Sequence, residues 1–336
     1  MIKIFLYLLL SGILLSHTLE EIEDNIFSGR VPKDGIPPIE SPVYLDIEEG
    51  NGYMSGNDIV FILESSTPKI IPQKILVWHE IINDKMERRN IAITYCPLTS
   101  SVVGYYPSNN NTLGVSGKLV NSNLVIYDRE TESLWPQVIG KAVQGERKGD
   151  TLEHFPLVWS TWERAVKKYP YGKVLSRDTG SIRNYERDPY GDYFSQDSYY
   201  NTGGAFFPLM SSDDTLPPKA MVRGLIGEKS TAAVPWELIK KKGIINITHG
   251  DIRAVVFYDP ELDTVRAFSR KFRGEELEFY MEDGKIRDRG INRVWNLRGE
   301  SGVHSLTPHK GMDAFWFAWH AFYPESKVVG DIDEDR

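Results

Sequence analysis

The sequence predicts an α+β protein made of two tandem homologous domains, each a mainly antiparallel sheet or partial barrel with short flanking helices. Two observations support this prediction. A set of motifs in the first half recurs in the second half, in the same order and at almost constant spacing. Each half also alternates short runs rich in Val, Ile, Tyr and Phe with Gly and Asn turns, which is typical of strands joined by tight connections. The 336 residues are enough for two domains of ordinary size.

The repeat is carried by matched residues. Ile81-Ile-Asn83 recurs as Ile244-Ile-Asn246, at an offset of 163 positions. The segment 127–135, which ends Ser-Leu-Trp, matches 287–295, which ends Arg-Val-Trp, at an offset of 160. The same order is kept by Pro72 and Pro235, Tyr95 and Tyr258, Pro97 and Pro260, and the segments 169–174 and 323–328. Matches in one order at nearly constant spacing indicate a duplicated domain.

The predicted boundaries follow the repeat and the composition. They are a signal peptide at 1–18, an extended lead-in at 19–57, repeat domain 1 at 58–177, a Tyr-rich inter-domain segment at 178–218, repeat domain 2 at 219–329 and an acidic tail at 330–336. The Tyr-rich segment combines five Tyr with Asp, Gly and Pro and shows no clear period. Long irregular segments in compact proteins are often functional, so we expect it to pack across the two domains or to line a cleft between them.

The same elements are expected in each repeat. A short helix is expected to begin at Pro72 or Pro235, because proline fits the first helical position, where its missing N–H has no partner to lose. Strands are expected at 90–95, 102–106 and 124–127 in the first repeat and at 253–258, 265–270 and 277–281 in the second. A helix then closes each repeat. Ser160-Thr-Trp-Glu163 is a capping-box pattern, and 313–322 is apolar nearly all round, which predicts burial.

The first 18 residues have the pattern of a secretory leader. Lys3 precedes an apolar run from Ile4 to Leu15, and Ser16 and Thr18 are small residues ahead of the predicted cleavage site. An uncleaved anchor is the alternative, although the run is shorter than the roughly 20 residues of a membrane-spanning helix. We therefore expect a secreted or cell-surface protein without a transmembrane span beyond the leader. The net charge of −8 gives a nucleic-acid partner no electrostatic support.

Several longer motifs resemble one family. They are Tyr95-Cys-Pro-Leu98, the segments 115–124 and 127–135, Val174-Leu-Ser-Arg-Asp-Thr-Gly180, Phe315-Trp-Phe-Ala-Trp319 and His79-Glu-Ile-Ile-Asn-Asp84. Over residues 58–329 the chain is similar to a prokaryotic family known as domain-of-unknown-function family 3179. This resemblance implies no established activity. Family members typically read Cys-Pro-Leu-Cys where this chain has Thr99 in the last place, which counts against a redox pair or a two-cysteine metal clamp.

Cys96, the single cysteine, is the first candidate site residue. A thiolate is a strong nucleophile and a soft metal ligand where its pKa is lowered. The repeat places Asp259 at the matching position, and a charged residue there suggests a strand end that is not plainly inside a core. The alternative is a small apolar side chain tucked under the following turn.

His79 and Glu80 are the second candidates, because the repeat places them at the end of the short helix, on the same rim as Cys96. His79 as a base beside Cys96 would support thiol chemistry. The pair could instead bind zinc or copper with further ligands, and His309, ahead of the closing helix, is the best additional candidate. The alternative for His79 is electrostatic, since a cationic His stabilises the C-terminal end of a helix.

Asp128 is the third candidate. In an extended segment Asp128, Glu130 and Glu132 would share one face. Three carboxylates on one face suit acid–base chemistry or a hard cation such as calcium. The alternative is a structural ion pair with Arg129, since the Asp-Arg dipeptide recurs at 288–289.

The sequence leaves three functional hypotheses. The favoured one is an exported two-domain module that binds an extracellular glycan, peptide or metal in a cleft near Cys96. The second is a thiol- or metal-dependent enzyme that uses Cys96 and His79, with Glu80 and Asp128 as further catalytic candidates. The third is a structural protein of the cell envelope.

Overall fold

Strands dominate this protein. The computed structural model describes residues 17–108 and 111–330, with 38% strand and 11% helix. The helices of this described part are only four to seven residues long. The predicted antiparallel sheets with short helices are confirmed, but the fold class is mostly β rather than α+β. Residues 1–16 of the predicted leader and 331–336 of the predicted tail lie outside the described residues.

The lead-in and the first half contain four helices and thirteen strands within the described residues. In chain order they are α1 (Leu19–Asp24), β1 (Phe27–Ser28), β2 (Tyr44–Asp46), α2 (Ile47–Gly50), β3 (Ile59–Leu63), β4 (Lys69–Pro72), α3 (Gln73–Leu76), β5 (Ile81–Met86), β6 (Arg89–Cys96), β7 (Ser101–Tyr106), β8 (Leu113–Val120), β9 (Asn123–Asp128), β10 (Leu134–Pro136), β11 (Glu153–Phe155), β12 (Val158–Thr161), α4 (Trp162–Lys168) and β13 (Lys173–Leu175).

The second half begins after the Tyr-rich segment, in which the structure has turns and bends but neither helix nor strand. Its elements are β14 (Met221–Ile226), β15 (Thr231–Pro235), α5 (Trp236–Lys242), β16 (Ile244–His249), β17 (Ile252–Asp259), β18 (Thr264–Ser269), β19 (Lys271–Phe272), β20 (Glu275–Glu276), β21 (Phe279–Glu282), β22 (Lys285–Asp288), β23 (Val294–Trp295), β24 (Glu300–Ser301), β25 (His304–Ser305), β26 (Asp313–Phe315), α6 (Trp316–Phe322) and β27 (Lys327–Val328).

The strands form several small sheets. Their orders are β1-β8-β9-β10, β11-β7-β6-β5, β12-β3-β4-β13-β2, β26-β14-β15-β27, β16-β17-β18, β19-β20, β21-β22-β23 and β24-β25. Pairing between these strands is antiparallel except for β13 with β4 and β15 with β27. None of the described sheets closes into a barrel.

The two halves present their central strands at the same spacing. Strands β5, β6 and β7 and strands β16, β17 and β18 have bounds that differ throughout by 163 positions. Both triplets pair antiparallel in the order of the chain. Each is preceded by a helix whose N-cap is a proline, Pro72 or Pro235. Each helix therefore begins one residue later than the sequence predicted. The homology of the halves and the domain boundaries stay predictions.

The largest apolar cluster draws on both halves and on the segment between them. It includes Tyr105 and Trp135 from the first half, Tyr200 from the Tyr-rich segment, and Trp316 and Trp319 from α6. All seven residues of α6 are buried, as its composition predicted. Since a buried aromatic side chain removes some 150–250 Å² from water, this shared cluster holds the halves together. In the described part of the chain, no helix is long and apolar enough to cross a membrane.

Candidate functional site

Cys96 ends β6 and is buried, with only 1% of its surface exposed. Its Sγ accepts a hydrogen bond from the Leu124 N–H at 3.4 Å and lies 3.8 Å from the Ser122 oxygen. Burial, and then the nearby Glu80 carboxylate, raise the pKa of the Cys96 thiol to about 11. The prediction that Cys96 lies at an accessible strand end is therefore wrong, because β9 and the Tyr-rich segment cover this end of β6. A reactive thiolate needs the opposite shift in pKa.

His79 is fully buried, and both of its ring nitrogens are occupied. Nδ1 lies 2.7 Å from the Pro37 oxygen, and Nε2 lies 2.6 Å from the Tyr185 hydroxyl. Because a carbonyl oxygen can only accept, we assign the proton to Nδ1, so that Nε2 accepts from Tyr185. Burial lowers the pKa of His79. The imidazole therefore ties the lead-in to the Tyr-rich segment as a neutral group, rather than acting as a base toward Cys96 or as a helix-end cation.

Glu80 has a backbone and a side chain that are both unusual. Its φ is 58°, a left-handed conformation that costs a residue with a side chain about 1–2 kcal/mol. Its carboxylate is buried, with 8% of the residue exposed, and burial raises its pKa to about 8. None of the described residues donates a hydrogen bond to it. Strained, buried groups of this kind concentrate at functional sites, and Glu80 is the one predicted site residue with such character.

Asp128 organises a turn. Its carboxylate accepts hydrogen bonds from Trp135 Nε1 at 3.0 Å, the Thr131 N–H at 2.8 Å and Asn111 Nδ2 at 3.1 Å. Burial alone would raise the pKa of Asp128, but these bonds hold it below its ordinary value. In the second half Asp288 accepts from Trp295 Nε1 at 2.9 Å and also caps the turn that follows it.

The expected face of three carboxylates does not form. Strand β9 ends at Asp128 and a turn follows, so the period of two that would align the acids is broken. Glu130 is exposed, and Glu132 pairs with Lys33 at 2.6 Å. Arg129 pairs with Asp34 and Glu40 rather than with Asp128. The predicted Asp-Arg ion pair is therefore wrong as well.

Metal ligands do not converge. Within residues 17–108 and 111–330, no group of three or more His, Cys, Asp and Glu side chains is placed to hold a metal ion. Cys96, His79 and His309 therefore do not meet as a zinc or copper site. His309 is half-buried, and its Nδ1 donates to the Lys310 oxygen at 2.9 Å. It lines a separate pocket with His154.

A buried polar network fixes the Tyr-rich segment onto the first half. Gln73 Nε2 donates to Asp188 Oδ2 at 2.8 Å and to the Tyr200 hydroxyl at 3.1 Å, and Tyr200 donates to the same Asp188 oxygen at 2.9 Å. The hydroxyls of Tyr95 and Tyr193 lie 2.7 Å apart. The rings of Tyr193 and Tyr200 stack at 3.9 Å. The network holds the segment in one position over the end of β6.

The outer side of this segment forms an open pocket of about 530 Å³, which we call the Tyr-rich pocket. Its walls include Asp58, Gln73, Lys74, Asp188, Asp192, Tyr193 and Phe194. The Phe194 ring is 61% exposed. Burial raises the pKa of Asp188 despite its hydrogen bonds from Gln73 and Tyr200. The pocket combines one free aromatic face with several fixed hydrogen-bonding groups.

Sequence reasoning anticipated the segment but missed its partners. The density of Tyr and Asp predicted a cleft between the two halves, whereas the pocket lies between the segment and residues 55–74, with no wall from the second half. Gln73 carried no comparable signal, because a polar residue beside a proline is ordinary at the start of a helix. Its contact with Asp188 spans 115 positions, and no local pattern encodes that distance.

Comparison with known proteins gives a family and no further relatives. The family model described as "Protein of unknown function (DUF3179)" matches residues 33–326. No curated protein and no solved structure matches the chain.

Proposed function

This chain belongs to the DUF3179 family, whose description gives no activity, so we propose a function from the site: an exported module that binds a neutral saccharide in the Tyr-rich pocket. One observation carries the proposal. The exposed ring of Phe194 shares a pocket of about 530 Å³ with the side chains of Asp188, Asp192 and Gln73.

The chemistry of these groups suits a sugar. An aromatic ring offers a flat apolar face to the C–H groups of a pyranose, which is amphipathic in the same way. Carboxylates accept from hydroxyl donors, and an amide both donates and accepts. The pocket volume lies within the range of roughly 300–1,000 Å³ that is usual for small-molecule sites.

The charge of the pocket favours a neutral ligand over an anionic one. Four carboxylates line it, against two cations, and Lys74 is already engaged by Asp58 at 2.9 Å and by Glu186 at 3.6 Å. An acidic ligand would meet a net negative wall. Cys96 lies beneath the segment in this proposal and supports the site without touching the ligand.

Preorganisation supports binding at this place. The network that links Gln73, Asp188 and Tyr200 holds the inner wall of the pocket before any ligand arrives. Less conformational freedom is then lost on binding, which raises affinity at a given contact area.

The position of the site fits a duplication in which only the first copy is specialised. We infer this duplication from matching hydrogen bonds. Asn83 exchanges two bonds with Leu113, and Asn246 exchanges two with Phe279. Gln73 of the first half corresponds to Trp236 of the second. Export is part of the same proposal and is supported by the leader pattern.

The test is glycan binding by the purified full chain. A glycan array should give neutral saccharide hits, and calorimetry on those hits should show at least about a tenfold loss of affinity in Phe194→Ala. Phe206→Ala is the matched control, because Phe206 is 64% exposed and lies outside the pocket. A blank array overturns the saccharide proposal, as does equal binding by the Phe194 variant. Hits confined to a parallel peptide array would mean that the ligand is a peptide.

A further inference from the structure

A second pocket lies where the two halves meet, and we call it the inter-half pocket. Its volume is about 330 Å³, and it shares no lining residue with the Tyr-rich pocket. Its walls include Tyr106 and Phe155 from the first half and Arg223, Arg266, Phe268 and Arg298 from the second. Ligand sites often occupy such junctions.

Arg223 leaves one donor unused in this wall. The residue is 3% exposed, and its guanidinium donates from Nη1 to Asp313 Oδ2 at 3.1 Å. The other Asp313 oxygen accepts from Trp236 Nε1 at 3.0 Å, so the carboxylate is fixed. Arg223 Nε has no acceptor among the described residues. A buried donor without a partner is destabilising, and an oxygen-bearing ligand would restore the missing hydrogen bond.

Arg266 forms a rigid part of the same wall. It donates to both oxygens of Glu64, at 2.7 and 2.9 Å, and its Nε donates to Asp259 at 3.2 Å. These bonds join the first half to the second. Arg266 is therefore fully engaged. Arg298 lies 3.4 Å from Glu300, so the Arg223 Nε is the guanidinium donor of this wall that remains for a ligand.

Two histidines lie on the side of the pocket near Arg223. Pro156 and Pro308 separate the inter-half pocket from the pocket that holds His154 and His309, since they line both. Burial first, and then Lys310 and Arg223, lower the pKa of His154 to about 4. Burial and the Arg223 charge also lower the pKa of His309. Both imidazoles are neutral at neutral pH, so they add no charge beside the Arg223–Asp313 pair.

We propose that the inter-half pocket binds a small organic carboxylate with an apolar body, of the size of a medium-chain fatty acid. The carboxylate accepts from Arg223 Nε, and the chain lies between Phe155 and Phe268. A charge-assisted bond to a buried guanidinium is stronger than a neutral one. The apolar walls stabilise the bound chain by removing its surface from water.

Calorimetry on the full chain tests this inference with octanoate and octylamine, which have similar bodies and opposite charges. Octanoate should bind, and about tenfold or more tightly than octylamine. Ser305 is exposed at the rim and lines the pocket, so Ser305→Trp should obstruct entry and weaken octanoate binding by about tenfold.

Val303→Trp is the matched control, because Val303 is 94% exposed, lies two residues before Ser305 in the β24–β25 connection and does not line the pocket. It should bind octanoate like the unmodified protein. Phe194→Ala should also bind octanoate normally, which separates this site from the saccharide proposal. No octanoate binding, equal or tighter binding of octylamine, or equal effects of the two Trp variants would each overturn the inference.

Discussion

The backbone oxygen of Glu80 accepts a hydrogen bond from the backbone N–H of Tyr95 at 2.8 Å. Gly243 and Tyr258 make the same bond at 2.9 Å in the second half. Both acceptors have a positive φ, 58° for Glu80 and 77° for Gly243. Glycine adopts this conformation without steric cost. The first half therefore has a strained, buried glutamate at the position where the second half has an unstrained glycine.

Glu80→Gly should therefore stabilise the protein. The substitution removes backbone strain of about 1–2 kcal/mol and a buried carboxylate, against an entropic cost for glycine of about 0.5–1 kcal/mol. We expect the free energy of unfolding at pH 7 to rise by roughly 2 kcal/mol, measured by urea denaturation. Glu87→Gly is the control, because Glu87 also has a positive φ, 55°, but is exposed. A gain in the control as large as in Glu80→Gly would show that burial of the carboxylate has no effect.

Glu80→Gln should remove a pH dependence of stability. Burial raises the pKa of Glu80 from 4.5 to about 8 in the folded protein. The folded state therefore prefers the protonated acid, and its contribution to stability is complete below pH 4.5 and is lost as the pH rises through 8. At 1.36 kcal/mol per pKa unit, the loss over the whole range is on the order of 5 kcal/mol.

The measurement is urea denaturation at pH 5 and pH 8 for both proteins. The unmodified protein should lose more stability than Glu80→Gln between these values, while Glu87→Gln should follow the unmodified protein. If the Gln variant loses as much stability as the unmodified protein, the Glu80 carboxylate is ionised without penalty and its environment is more polar than the structure indicates.

The sequence predicted what local patterns encode. Strands β6 and β17 lie where runs of β-branched and aromatic residues placed them, and α6 is buried because its composition leaves no polar face. Asp128 was misjudged for a local reason, since the turn after β9 ends the alternation that would have aligned it with Glu130.

The site depended on distant contacts that the sequence does not reveal. His79 was expected to face Cys96, but the Pro37 oxygen and the Tyr185 hydroxyl, 42 and 106 positions away, hold its ring. Cys96 was expected near an edge because Asp259 occupies the matching position. Asp259 is itself buried and accepts from the backbone of the next turn, so a charged residue there did not signal exposure.

The Cys96 thiol should be unreactive in the folded protein. Its exposure is 1% and its pKa is raised to about 11, so both access and thiolate population are low at pH 7. We expect labelling by a thiol-specific reagent to be slower than in urea-unfolded protein by about a hundredfold or more, because labelling requires opening of the structure. Fast labelling of the folded protein at pH 7 would restore the nucleophile hypothesis.

Asp128→Asn and Asp288→Asn should destabilise the protein by similar amounts. Each carboxylate accepts a tryptophan N–H and backbone N–H groups of the following turn, and an amide loses the charge and one acceptor oxygen. A buried donor left unpaired costs about 1–3 kcal/mol, so we expect a loss of roughly 2 kcal/mol in each variant, measured by urea denaturation. Glu130→Gln should change stability by less than about 0.5 kcal/mol, because Glu130 is exposed. A large loss in only one of the two Asn variants would show that the matching hydrogen bonds do not have matching roles, and would count against the inferred duplication.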